Sequence, residues 1–284
     1  WLKCHYPAEF TCSLLNAQPM GFYSPATIVE DAKRHDVIMR SIDIQDSEWD
    51  CTLERCAESA EWFAVRMGLR YVKGLGEKEG EKITRARESA PFLSLQDFAR
   101  RTSLDEGALS ALAEAGAFDS LQVTRRAALW DVRRLARTHK ESLALPARTA
   151  APRFAALTDF EEVGWDYRRT SHSARRHPLA PLRASLARRN LPDARTVASM
   201  KNGAKVRYAG LVICRQRPGT AEGVVFMTLE DETGFVNVVV WESVFRRYAV
   251  LAKTAGFLGV SGKLQAEDGV VHLVAEKFWE PKLE

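Results

Sequence analysis

The sequence predicts a multidomain chain, all-α over its N-terminal two-thirds and ending in a five-stranded β-barrel. Three observations carry this. Apolar residues recur at helical spacing, with capping and breaking residues between the segments, over much of the first 195 positions. After Lys201 the period changes to two. Within the helical part stands a Gly-x-Gly turn, Gly74-Leu75-Gly76, that opens a highly charged helix.

A length of 284 residues predicts two domains or slightly more. A hydrophobic content of 46% excludes a fully disordered chain. No apolar run is long enough to cross a bilayer, so no membrane role is expected. The first residue is Trp1 and nothing there resembles a signal peptide, which suggests part of a longer cytoplasmic protein. The five cysteines are Cys4, Cys12, Cys51, Cys56 and Cys214, without a Cys-x-x-Cys pair. They are expected to be reduced thiols. A zinc site at Cys51 and Cys56 lacks two further ligands at sensible spacing, so no metal is expected.

Charge is unevenly spread. Residues 1–64 carry −6, residues 65–140 carry +5, residues 141–200 carry +4 and residues 201–284 carry +1. Positive charge thus gathers mid-chain, where it can hold a polyanion or simply solvate helix faces.

Along the chain, Ala8 to Leu15 is amphipathic, and Ser24-Pro25 opens a second helix with Pro at its first position. Residues 41–65 are acidic and irregular and receive no assignment. Helices are expected over residues 77–90, 95–101, 105–115 and 124–140, the third capped by Ser103 and the acidic residues after it and stopped by Gly116. Residues 142–158 read as a linker and 159–195 as helical pieces. The resulting domains are residues 1–64, 65–141, a connector at 142–200, and 201–284.

Lys73-Gly74-Leu75-Gly76 before a charged helix resembles a helix-hairpin-helix motif. Two glycines permit unusual backbone angles and close approach to a phosphate. The following helix adds free N–H groups and the positive end of its dipole. Leu75 is expected to pack inward, while Lys73, Lys78 and Lys82 supply charge. Such contacts read the DNA backbone rather than its bases. Glu77, Glu79 and Glu81 suit the dipole but repel phosphate, which leaves a plain tight turn as the alternative. A second, degenerate hairpin at Leu109–Phe118 has simple helix packing as its alternative.

Strands are expected at 206–215, 224–230, 235–241, 257–263 and 270–275, with a helix at 242–251 between the third and fourth. That chain order is an OB-fold. Alternation places Val225, Met227, Leu229, Val236, Val238 and Val240 inside the barrel. Phe226, Phe235 and Trp241 then face outward, able to stack on unpaired bases, with Arg215 and Arg217 tracking phosphates. Packing against a neighbouring element is the alternative for these aromatics.

The run Arg215-Gln216-Arg217-Pro218-Gly219-Thr220 through Thr233-Gly234 resembles the OB segment of the error-prone C-family DNA polymerases of the ImuC type, relatives of the DNA polymerase III alpha subunit. Leu2 to Phe10 is similar to the end of that family's fingers domain, and Gly68 to Gly76 to its hairpin. Ala115 to Asp119 and His177-Pro178-Leu179 also fit. One departure is Arg176, where the family usually has Gly before His-Pro-Leu.

The resemblance implies that residues 1–64 end a fingers domain, that Gly74 and Gly76 contact duplex backbone, and that the barrel lies near the template strand. It implies two-metal phosphoryl transfer with magnesium held by palm carboxylates of the parent, outside this chain. No catalytic residue and no cofactor is therefore assigned here. Asp231 and Glu232 are expected to order a turn instead. It further implies translesion synthesis in DNA repair and SOS mutagenesis, with ImuB and ImuA as partners. The resemblance also implies that the sliding clamp is reached indirectly, through a partner, and no Gln-x-x-Leu/Met-Phe peptide stands between residues 120 and 200. A docking platform for those proteins is the rival to DNA binding.

Overall fold

The computed structural model describes residues 1–21, 23–57, 63–140, 152, 154–221, 223–267 and 270–282, the side chains of 136–140 excepted. Two compact units emerge, Trp1–Arg176 and His177–Glu284. These differ from boundaries at 64, 141 and 200. One apolar core runs from Ala8 to Val132, so residues on both sides of position 64 share it.

The first unit begins with α1 (Leu2–His5), α2 (Pro7–Asn16) and α3 (Pro25–Arg34). In α2, Ala8, Cys12 and Leu15 recur on one turn-spaced face and are buried. Ser24 caps α3 by accepting the Thr27 amide at 3.2 Å, with Pro25 at the first helical position.

The acidic segment left unassigned holds a small sheet. Strands β1 (Met39–Arg40), β2 (Thr52–Arg55) and β3 (Phe63–Arg66) lie in the order β1-β3-β2. Its acids are bound rather than free. Arg66 donates to Glu54 at 2.6 Å, Arg70 to Asp50 at 2.7 Å, and Arg87 to Glu48. Buried Ser47 donates to the Met67 carbonyl at 2.8 Å.

Next come α4 (Glu77–Ser89), α5 (Leu95–Thr102), α6 (Glu106–Ala115), α7 (Arg125–Lys140) and α8 (Asp159–Thr170). The N-cap of α6 is Asp105, which accepts the Ala108 amide at 2.7 Å, not Ser103. Ser103 instead ends α5 in the left-handed region, φ 49°. Gly116 closes α6 with φ +76°, an angle that glycine adopts without strain. Phe92, Phe98 and Phe118 pack edge to face at 4.9 and 5.3 Å and centre this part of the core. Thr158 and Glu161 form a capping box on α8. Most of the linker expected at 142–158 lies outside the described residues.

The second unit has α9 (Arg183–Arg188), α10 (Ala194–Ala198), then β4 (Lys205–Gln216), β5 (Val225–Asp231), β6 (Gly234–Val240), α11 (Glu242–Arg247), α12 (Ala249–Thr254), β7 (Phe257–Glu267) and β8 (Val270–Trp279). The strands close a barrel in the order β4-β5-β6-β8-β7, with β6 and β8 parallel and the other neighbours antiparallel. This is the OB-fold expected, its single helix divided in two at Tyr248. Val225, Met227, Leu229, Val236, Val238 and Val240 fill the interior. Asp231, fully buried, accepts the Thr233 amide and hydroxyl at 2.8 and 2.7 Å and the Ala194 amide at 2.8 Å. It orders a turn and pins α10 to the barrel. Arg176 does not adopt a positive φ, so the position usually held by Gly in the resembled family accepts Arg here.

Candidate nucleic-acid interface

The hairpin is built from Gly68 onward. A short 3-10 turn, Leu69–Tyr71, buries Leu69 and leads to Val72, whose carbonyl accepts the Leu75 amide at 3.1 Å. Leu75 packs inward at 8% exposure. Gly74 has φ +91°, so a side chain there is strained. Gly76 does not share that need. Its φ is −94° and ψ 165°, an ordinary N-cap conformation, which corrects the expectation that both glycines supply unusual angles. A Cβ at Gly76 would instead collide with the flexible end of Glu79.

Donors at the bend divide into two sets. The Lys73 amide donates to the Arg169 carbonyl at 2.8 Å, and its Nζ to the Arg168 carbonyl at 3.3 Å. Lys73 therefore ties the hairpin to the C-terminal end of α8. The amides of Gly74 and Gly76 have no partner among the described residues, and no side chain caps α4. Both glycines are exposed, as are Lys78 and Lys82. Arg85 extends that pair along α4 at positions i, i+4 and i+7, and is exposed too. The three have no ion-pair partner among the described residues. Their spacing was visible in the sequence, but Arg85 was not singled out.

The second hairpin is occupied by protein. The Ser120 amide donates to Asp43 Oδ2 at 3.0 Å. Arg125, at the start of α7, is buried and donates to Asp166 at 2.6 Å and to the Glu114 and Glu162 carbonyls at 3.3 Å each. The helix-turn-helix shape at Leu109–Phe118 is present, yet its turn faces inward.

Buried His172 supports the working hairpin from behind. Its ring meets Tyr71 edge-on at 5.3 Å, and its Nδ1 lies 2.8 Å from the Thr170 carbonyl. Burial lowers its pKa from 6.5 to about 4. The unfolded chain therefore takes up the proton first as pH falls, so stability is full above about pH 6.5 and declines toward pH 4. We expect the first unit to lose about 2 kcal/mol between pH 7.5 and pH 5, measured by urea denaturation. His172→Gln should flatten that decline; an unchanged slope would assign it to other groups. Burial also raises the thiols of Cys12 to about 11 and Cys51 to about 12, which keeps them protonated. All five cysteines are free.

On the barrel, strand register sets out the exposed face. One row runs Phe226, Val239, Val274 and Lys263, and the next Thr228, Asn237, His272 and Gln265. Phe226 and Phe235 are each 40% exposed and Trp241 is 55% exposed. Arg215 is held by the protein's own backbone. It donates to the Ala252 carbonyl at 2.8 Å and to the Ala255 carbonyl, closing the end of α12. Arg217 is half exposed, 3.6 Å from Glu242 and over the Phe245 ring. The polar members of the two rows, Thr228, Asn237, His272, Gln265 and Lys263, emerge as rows only once β5, β6, β8 and β7 are paired.

Among the described residues no group of three His, Cys, Asp or Glu side chains converges on a metal position, and no helix is long and apolar enough to cross a membrane.

A helix-hairpin-helix unit and an OB-fold barrel in one chain define a nucleic-acid-binding class of protein. Comparison with known proteins agrees: residues 36–128 match the helix-hairpin-helix motif family and residues 206–281 the OB-fold nucleic acid binding domain family. The chain is 43% identical to error-prone DNA polymerase 1 of Agrobacterium fabrum, over 98% of this chain and 27% of that protein. It is 45% identical to an error-prone DNA polymerase of Azoarcus sp., over 98% of this chain and 26% of that protein. Among solved structures, asparaginyl-tRNA synthetase from Pyrococcus horikoshii is 28% identical over 31% of this chain and 22% of that one, with a TM-score of 0.28. The chain spans about a quarter of the length of the polymerases it matches. It fits the C-terminal region of an error-prone DNA polymerase.

Proposed function

We propose that this chain is the nucleic-acid-holding part of a translesion DNA polymerase, gripping duplex backbone at Gly74 and Gly76 and single-stranded template on the barrel face. The observation that carries this is that the amides of the exposed Gly74 and Gly76 have no partner among the described residues, beside Lys78 and Lys82 at a helix start without a side-chain cap. A phosphate there meets N–H donors, the helix dipole and two ammonium groups together. Glu77, Glu79 and Glu81 oppose it, which makes the grip moderate and sensitive to salt. Leu75 anchors the bend. On the barrel, Phe226, Phe235 and Trp241 offer stacking surfaces, and half-exposed Arg217 supplies a charge just after β4.

Polymerisation, with its magnesium, belongs in this reading to residues of the parent outside this chain, acting in the cytoplasm during damage repair. ImuB and ImuA are its expected partners and the clamp an indirect one.

The test is a binding titration of single-stranded, duplex and primer-template DNA at two salt concentrations. Duplex affinity should fall steeply with salt. Phe226→Ala should cost about 1–3 kcal/mol on single strands and spare duplex. Binding that ignores salt, or a Phe226→Ala variant that binds single strands normally, would overturn the respective half of the proposal.

A further inference from the structure

A cavity of about 180 Å³ opens where β4 leaves the barrel beside α11 and α12. Phe245 forms one wall, with Val225 and Ala252 behind it. The Arg217 guanidinium lies 5.4 Å from the Phe245 ring centre and Lys253 Nζ lies 5.8 Å from it. Arg215 completes the rim, held in place by the carbonyls of Ala252 and Ala255. Three cations thus surround one small, partly apolar space. Among the described residues the carboxylate paired with any of them is that of Glu242, 3.6 Å from Arg217 and also shared with Arg246 at 2.8 Å. Arg215 and Lys253 have no carboxylate partner there.

The ring is engaged by two cations, so it is a poor platform for a nucleobase. Among the described residues no carboxylate lines the space. Its apolar walls lower the local dielectric and strengthen any ion pair made inside. Arg217 presents a planar fork suited to oxyanions, and Lys253 a mobile ammonium.

We propose that Arg217, Lys253 and Arg215 form a phosphate-binding pocket at this end of the barrel. The pocket takes either a phosphodiester of a single strand or a free phosphate ester. The first source rests on the reading that the barrel face holds single-stranded nucleic acid. Phe226 directly follows Val225, the pocket residue that starts β5, so a strand stacked there passes its backbone close to these cations. The pocket then adds a fixed backbone contact to a face that otherwise offers stacking.

The experiment uses the whole chain and two probes. Inorganic phosphate is titrated against chloride at matched ionic strength, with the Arg217 and Arg215 Nε–H resonances followed by NMR. An oligothymidylate of roughly 15 nucleotides, long enough for one OB-fold, is titrated over a series of salt concentrations. Lys253→Gln and Phe226→Ala are compared with the parent sequence; Lys253 is exposed, so its substitution leaves the core intact. The proposal expects saturable phosphate shifts that weaken in Lys253→Gln. For the single-strand source, Lys253→Gln should also reduce the salt slope by about 0.7, whereas Phe226→Ala lowers affinity at unchanged slope. Phosphate shifts without an altered slope, or with no oligothymidylate binding at all, support the pocket and assign it a free ester. In the latter case the single-strand reading fails while the pocket stands. Absent phosphate shifts with an unchanged slope in Lys253→Gln overturn the pocket, even if Phe226→Ala still weakens binding.

Discussion

Asp166→Ala is expected to destabilise the first unit by about 3–5 kcal/mol, because it strands a buried guanidinium. Arg125 and Asp166 are each 5% exposed at the side chain and lie 2.6 Å apart. Asp166 also accepts the Ser173 hydroxyl at 2.7 Å and an Arg175 donor at 3.3 Å. Removing it leaves Arg125, 5% exposed at the side chain, with two backbone carbonyls and no ion-pair partner among the described residues. The control is the pair Arg125→Met with Asp166→Leu, which removes both charges and should recover most of the loss. Urea denaturation measures both. A loss below about 1 kcal/mol in Asp166→Ala would mean that water reaches the pair, against its burial. The effect reaches the hairpin through α8, since Asp166 fastens that helix and Arg169 at its end receives the Lys73 amide.

That chain of contacts shows where sequence reasoning stops. The barrel is legible because alternation needs no tertiary knowledge: Val236, Val238 and Val240 share a face whatever the strand pairs with. Helix caps are nearly as local, although the α6 cap is Asp105 rather than Ser103. The small sheet escapes because β1 has two residues and β2 and β3 have four each, too few for a period to emerge. The backbone contacts of Lys73 and Arg215 escape the sequence for one shared reason. Their partners are main-chain carbonyls distant in sequence, and a carbonyl has no letter of its own. Arg125 is harder still. A basic residue opening a basic helix reads as solvent-facing, and only the arrival of Asp166 from α8 makes its burial affordable. Gly76 is legible as a glycine before a helix; its ordinary backbone angles are not.

Those ordinary angles make Gly76→Asp the decisive test of the hairpin. The N-cap conformation at this position, φ −94° and ψ 165°, suits Asp, which accepts amides of the first turn. The carboxylate also meets the positive end of the α4 dipole. Stability should therefore hold or rise by a few tenths of a kcal/mol, with the flexible end of Glu79 swinging aside. Duplex affinity should behave in the opposite way. The new carboxylate fills the space in front of the free amides with the wrong charge, and a loss of at least tenfold, or about 1.4 kcal/mol, is expected. Gly74→Ala is the less informative change, because φ +91° there adds backbone strain of about 1–3 kcal/mol and confounds folding with binding. Lys78→Gln supplies the graded comparison, lowering the salt slope by about 0.9 if its ammonium neutralises one phosphate. Fluorescence anisotropy with duplex DNA and a urea midpoint on the same samples separate the two quantities. Full duplex affinity in a stably folded Gly76→Asp protein would move the grip away from this bend, whatever polymer the rest of the chain holds.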